Sequence, residues 1–119
     1  MSLLIVEAIV TNGFAIAGTA GQAWVTVSVT ADDGRPVTTL TQNNFKVGDT
    51  WGHQRLDVQG FQGGSVQIGV GAYNAGGLYM FALTPIAGTT WLGQSSYHIV
   101  IAVRHGNDHG QTIAELTIP

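Results

Sequence analysis

The chain has no cysteine among its 119 residues, and it carries few charges: four Lys and Arg, seven Asp and Glu, and a formal net charge of -3. The absence of cysteine excludes thiol catalysis, thiolate-bound zinc, iron–sulfur clusters and a disulfide scaffold. The basic residues are scattered along the sequence at Arg35, Lys46, Arg55 and Arg104, so no basic face for a phosphate backbone is predicted. Nucleic acid is therefore not an expected partner.

The chain also lacks a long apolar run, because no segment reaches the roughly 18 consecutive apolar residues that span a bilayer. Its first residues include no basic region, and Glu7 interrupts the apolar run, so no signal-peptide pattern is visible. We expect no membrane span. The compartment is left open: cytoplasmic for the chain as written, and extracellular or at a surface if it is one domain of a larger protein.

Helix-forming residues are scarce, and the remaining patterns are those of β-strands. Glu and Lys number three together, whereas Val, Ile and Thr together number 34. Apolar and polar residues alternate with a period of two within 22–33 and 94–105. With turns placed at Gly, Pro and Asn or Asp clusters, eight candidate segments predict about seven strands: 3–10, 23–31, 44–48, 54–59, 65–73, 78–84, 97–105 and 111–118.

Short, evenly spaced strands of this kind predict an antiparallel β-sandwich, and the length predicts a single domain over 1–119. The inward faces of the strands would form the core between two sheets. The predicted core comprises Val25, Val27, Val29, Phe45, Val47, Leu56, Val58, Val66, Ile68, Val70, Tyr79, Phe81, Leu83, Ile99, Ile101, Val103, Ala114, Leu116 and Ile118. The N-terminal run 3–6 is apolar on both faces, which predicts a strand covered on both sides or one that pairs outside the monomer.

Two stretches resemble a known family. The run DGRPVTTL at 33–40, followed by FKV at 45–47, is similar to the segment between strands B and C of bacterial immunoglobulin-like modules. The run GLYMFALTP at 77–85, with YHIVI at 97–101, resembles their strands E and F. Leu92, five residues before Tyr97, resembles the tyrosine corner of fibronectin type III domains and related sandwiches. The resemblance implies an immunoglobulin-like antiparallel β-sandwich of about seven strands that serves as a binding or spacer module, and it carries over no functional residue.

The tryptophans are the first candidate binding residues. Alternation turns Trp24 outward if the valines of its strand point inward, and Trp51 lies in a polar loop with His53. An outward tryptophan beside Asp, Asn or Gln can stack on a sugar ring or anchor a protein interface. Each tryptophan, Trp91 included, can equally close an open end of the sandwich. The candidate ligand-binding residues are Trp24, Trp51 and His53.

The segment 104–110 is the second candidate site. His105, Asp108 and His109 could bind a divalent transition metal if the turn brings them together. The alternative is an ordinary solvated turn without a ligand, for which Asn, Asp and Gly are the usual residues.

No motif implies a cofactor. The sequence contains no nucleophile elbow, zinc-protease motif or phosphate-binding glycine loop, so catalysis is not predicted.

These features predict a non-catalytic interaction module that acts through protein–protein contact or self-association, as in one domain of a surface or adhesin-type protein. With so few charges, the surface must consist of small polar and apolar residues, which favours contact with a protein partner or another copy. We therefore expect a homo-oligomer. The alternative is a carbohydrate-binding, lectin-like module that binds a glycan through an exposed tryptophan.

Overall fold

The computed structural model describes residues 3–49, 56–62 and 77–119, and within these ranges the chain forms seven β-strands and a short 3-10 helix. The strands are β1 (Leu4–Thr11), β2 (Ala23–Ala31), β3 (Phe45–Asp49), β4 (Leu56–Gln62), β5 (Leu78–Pro85), β6 (Ser95–His105) and β7 (Asp108–Ile118), and the 3-10 helix Gln42–Asn44 precedes β3. The predicted all-β class is confirmed. The predicted strand at 65–73 lies outside the described residues.

The strands form two antiparallel sheets. β1, β2, β5 and β4 pair in that order in one sheet, and β3, β6 and β7 pair in that order in the other. The longest pairing is the hairpin of β6 and β7, in which His105 lies directly opposite Asp108. Gly106 turns this hairpin with a φ of 62°, a conformation that glycine adopts without strain. The hairpin therefore extends the predicted strand 111–118 back to Asp108.

The inward positions of the two sheets form one apolar core, as the alternation predicts. Every predicted core residue of β2, β5, β6 and β7 is buried, and so is Phe45. Val47, Leu56 and Val58 are partly exposed and pack against this core. The predicted core residues of 65–73 lie outside the described residues. The buried residues that were not in the predicted core are Leu4, Val6, Ala15, Ala23, Leu40, Ala82, Trp91 and Tyr97.

The apolar N-terminal run is covered on one face only. Leu4 and Val6 point into the core and are buried, whereas Leu3 and Ile5 are exposed. The alternation explains this division, because successive side chains of a strand point to opposite faces. The outward side chains of β1 are therefore available for contact with a partner.

The free edge of β1 is held against β7 at both ends. Leu3 forms an isolated parallel bridge with His109. Near the other end, the side-chain amide of Asn12 donates a 2.7 Å hydrogen bond to the Thr117 carbonyl. The backbone of β1 is thus enclosed between β2 and β7 of the same chain, which disfavours strand addition at this edge.

Among the described strands, β3 and β4 lie at the edges on the opposite side of the sandwich, and both carry features that disfavour strand addition. β4 contains a register shift between Gln59 and Gln62, and Gly60 within it has a positive φ of 58°. β3 is only five residues long and includes Lys46. Bulges, short lengths and lysines are the means by which sheet edges avoid pairing with other chains. Contact with a second molecule is therefore more favourable through a sheet face than through these edges.

Two buried tyrosines tie connecting segments to the core through their hydroxyl groups. The predicted hydrogen bond at Tyr97 is present: the Leu92 N–H donates to its hydroxyl at 2.9 Å. The Tyr79 hydroxyl donates to the Val37 carbonyl at 2.6 Å and accepts from the Leu40 N–H at 3.1 Å. Burial raises the pKa of Tyr79 above its ordinary value, against the opposing effect of the Leu40 hydrogen bond.

Replacing Tyr97 by phenylalanine is expected to lower the free energy of unfolding by about 1 kcal/mol or somewhat more. The loss arises because the Leu92 N–H would keep its partly buried position without its acceptor. Urea unfolding followed by circular dichroism measures the effect. An unfolding curve identical to that of the wild type would show that this hydroxyl makes no stabilising bond.

Candidate functional site

The outward side of the four-stranded sheet carries several of the large apolar side chains that are exposed in the described part of the chain. Ile5, Ile9 and Trp24 project from its strands, and Phe14 projects from the loop that joins β1 to β2. Met80 of β5 lies on the same side and is half-buried. We call these five residues the apolar face.

The strand register brings the central members of the apolar face together. Ile9 lies opposite Thr26, and Thr26 lies opposite Met80, so these three residues form a row across β1, β2 and β5. Trp24 lies in the next row along β2, directly opposite Ala82. Neighbours within a row have Cβ atoms about 4.5–5.5 Å apart, close enough for side-chain contact. These residues therefore form a contiguous surface, and Ile5 lies beyond Glu7 on the same side of β1.

Trp24 points outward as predicted, with 44% of its surface exposed, and the preceding loop fixes its position. A Cβ atom at Gly13 would lie 2.2 Å from the indole Nε1, so only glycine allows the loop to approach this closely. The Phe14 ring meets the indole edge-on, with centroids 6.4 Å apart, and the Phe14 N–H donates to the Gln22 carbonyl at 2.8 Å. The loop before β2 therefore holds the exposed indole in a defined position.

A shallow hollow of about 300 Å³ adjoins the indole of Trp24. Met80 and Ala82 form its apolar part, and Gln22 and Thr26 supply polar groups beside the ring. The bulge of β4 at Gly60 bounds it on the far side. An aromatic surface next to amide and hydroxyl groups can accept an apolar side chain or one face of a sugar ring.

Charge is distributed unequally between the two sheets. The outward positions of β1, β2 and β5 carry one charged side chain, Glu7. The outward side of the three-stranded sheet carries Lys46, His98, Arg104, His109 and Glu115. His98 and Glu115 lie within ion-pair distance, with 3.4 Å between Nε2 and Oε2. The outward side of β1, β2 and β5 is therefore poor in charge, whereas that of the three-stranded sheet is richer in it.

The hairpin does not gather the predicted metal ligands into one group. His105 lies opposite Asp108, whereas His109 lies opposite Arg104, one residue further along each strand. Adjacent residues of a strand point to opposite sides of the sheet, so the two imidazoles are directed apart. In the part of the chain that the structure describes, no three His, Cys, Asp or Glu side chains are arranged to hold a metal ion.

The remaining predicted ligand-binding residues, Trp51 and His53, lie outside the described residues. Trp91 is only 1% exposed and closes one end of the sandwich. Its indole Nε1 donates to the Gly21 carbonyl at 2.7 Å, and its ring packs edge-on against Tyr97 at 5.1 Å. Of the two tryptophans that the structure describes, Trp91 is therefore a structural residue and Trp24 has an accessible ring.

Sequence reasoning missed two features of these surfaces. Phe14 joins Trp24 although it lies outside every strand, and its only sequence signal is the neighbouring Gly13. Lys46 and Arg104 were treated as scattered charges, yet the pairing of β3 with β6 places them on one side of one sheet. Both associations depend on tertiary contacts rather than on a local pattern.

Comparison of the chain with family models, with curated proteins and with solved structures finds no match. Over the residues that the structure describes, no helix has the length and apolar character needed to cross a membrane.

Proposed function

We propose that this chain is an immunoglobulin-like β-sandwich that acts as a non-catalytic interaction module and self-associates through its apolar face. The strand order supports the architecture. With the strands lettered in chain order, the sheets read A-B-E-D and C-F-G, the order of constant-type immunoglobulin domains. The hydrogen bond between Tyr97 and Leu92 is of the kind that such sandwiches use at the tyrosine corner.

The proposed function rests mainly on the apolar face. Single apolar side chains are ordinary on protein surfaces, whereas a contiguous group marks an interaction site. Ile9 and Phe14 are 69% and 67% exposed, and they flank the supported ring of Trp24. Tryptophan in such a setting is among the residues that contribute most to protein interfaces.

A second copy of this chain is the partner that best fits this face. The edges of β1, β3 and β4 are enclosed, short or bulged, so pairing between copies through backbone hydrogen bonds is disfavoured. Two identical apolar faces can stack at about 10 Å, as sheets do within a sandwich. Such a contact is isologous, the commonest symmetry of protein dimers. Glu7 is exposed between Ile5 and Ile9 on the outer strand β1, so the contact must leave its carboxylate in water at the rim.

The measurement is the average mass by light scattering over about a hundredfold range of protein concentration. We expect the mass of the wild type to rise with concentration, and the double variant Ile9→Gln, Trp24→Gln to remain monomeric. Ile113→Gln is the matched control, because Ile113 is 58% exposed on the opposite face, on β7. It should associate like the wild type.

Three other results would contradict self-association through the apolar face. A strictly monomeric wild type excludes self-association and leaves a heterologous partner. If Ile113→Gln weakens association as much as the double variant does, the contact is not the apolar face. The hollow beside Trp24 favours the glycan alternative, which requires a fluorescence change with a glycan panel that Trp24→Phe abolishes.

A further inference from the structure

A groove of about 1150 Å³ lies between the start of β1 and the hairpin end of the three-stranded sheet. Lys46, Arg104 and His109 line one side, and Leu3 and Ile5 line the other. We infer that this cationic groove binds an acidic polypeptide segment that also carries apolar side chains.

The first argument is charge. Among the described residues, Arg35 is neutralised by Asp33, with 2.6 Å between Nε and Oδ2. Neither Lys46 nor Arg104 forms an ion pair in the described part of the chain, and both line the groove. They are diagonal neighbours on β3 and β6, so the two positions lie about 7–8 Å apart, within reach of one bound segment. A chain with a net charge of -3 thus presents, at one place, two cations that have no ion-pair partner among the described residues, and this site complements carboxylates.

The second argument is the apolar wall. Leu3 and Ile5 are exposed, although the alternating side chains Leu4 and Val6 are buried in the core. Gly110 lets β1 lie close to β7, since a Cβ atom there would be 2.1 Å from the Leu4 carbonyl oxygen. This approach places the apolar wall beside the cationic one. A free inorganic anion would use only the cations, whereas an acidic segment with apolar side chains would use both walls.

The third argument is the support behind the cationic wall. The Asn44 side-chain amide donates to the Arg104 carbonyl at 2.8 Å, and its oxygen accepts from the Thr41 N–H at 2.8 Å. These bonds attach the 3-10 helix to the end of β6, so the backbone that carries the cations is already held in place. A preorganised wall loses less entropy when a ligand binds.

Binding is tested by fluorescence polarisation with a labelled octapeptide of alternating Glu and Leu, at about 150 mM salt. We expect saturable binding to the wild type, weakened about tenfold or more by Lys46→Gln with Arg104→Gln. Leu3→Ser with Ile5→Ser should weaken it similarly. Arg35→Gln is the matched control, because Arg35 is an exposed arginine outside the groove, and it should bind like the wild type.

Further measurements distinguish an acidic segment with apolar side chains from a simple anion as the ligand of the groove. A Glu–Ser octapeptide should bind much more weakly than the Glu–Leu peptide, and inorganic phosphate should compete poorly. The variant Lys46→Glu with Arg104→Glu should prefer a Lys–Leu octapeptide, and thermal melting checks that every variant is folded. If the Glu–Ser peptide bound equally well, or if phosphate displaced the peptide fully, the groove would be a simple anion site and the proposal would be wrong. Absence of binding to the wild type, or binding unaffected by the Lys46 and Arg104 substitutions, would overturn the proposal.

Discussion

Replacing Val27 or Ile101 by aspartate is expected to unfold the protein. Both side chains are fully buried, Val27 on the inward face of the four-stranded sheet and Ile101 on that of the three-stranded sheet. A carboxylate at either position would have no charged or hydrogen-bonding partner, which costs several kcal/mol. Small domains are stable by only about 5–15 kcal/mol. Loss of chemical-shift dispersion in an amide NMR spectrum measures the effect.

Thr30→Asp is the control for Val27→Asp. Thr30 lies on the same strand but points outward, and it is half-buried opposite Ile5. A carboxylate there keeps access to water, so the variant should remain folded. Dispersed spectra for both Val27→Asp and Ile101→Asp would mean that these residues do not face the core and that the strand register is wrong.

The second large effect is expected for Trp91→Ala, which should lower the free energy of unfolding by about 3–5 kcal/mol. The substitution leaves a cavity where the indole closes the sandwich and removes the edge-on contact with Tyr97. It also removes the indole N–H that donates to the Gly21 carbonyl, a partly buried hydrogen bond. Urea unfolding gives the free energy directly.

Trp24→Ala is the matched control, because it removes the same side chain from an exposed position. It should cost about 1 kcal/mol, mainly through the lost packing on Phe14 and Gly13. The comparison separates the structural tryptophan from the accessible one. Equal losses for the two variants would contradict the assignment of Trp91 to the core and of Trp24 to the surface.

The strands of the described residues and their inward faces follow from local patterns in the sequence. Val, Ile and Thr alternating with a period of two leave a strand only one way to bury its apolar side, so Val27, Tyr79 and Ile101 could be assigned to the core directly. The same local rule predicts that Trp24 points outward. The glycine in the sequence also predicts the turn at Gly106, because a tight hairpin needs a residue that tolerates a positive φ.

Which outward residues become neighbours depends on how the strands are arranged in the folded protein. Alternation assigns a side chain to a face but not to a neighbour, because the neighbour depends on strand order and register across the sheet. The row of Ile9 and Met80 exists because β2 separates β1 from β5. Lys46 and Arg104 share a groove because β3 pairs with β6. These contacts join residues that are distant in the sequence, and they form only when the packing of the core fixes the order of the strands.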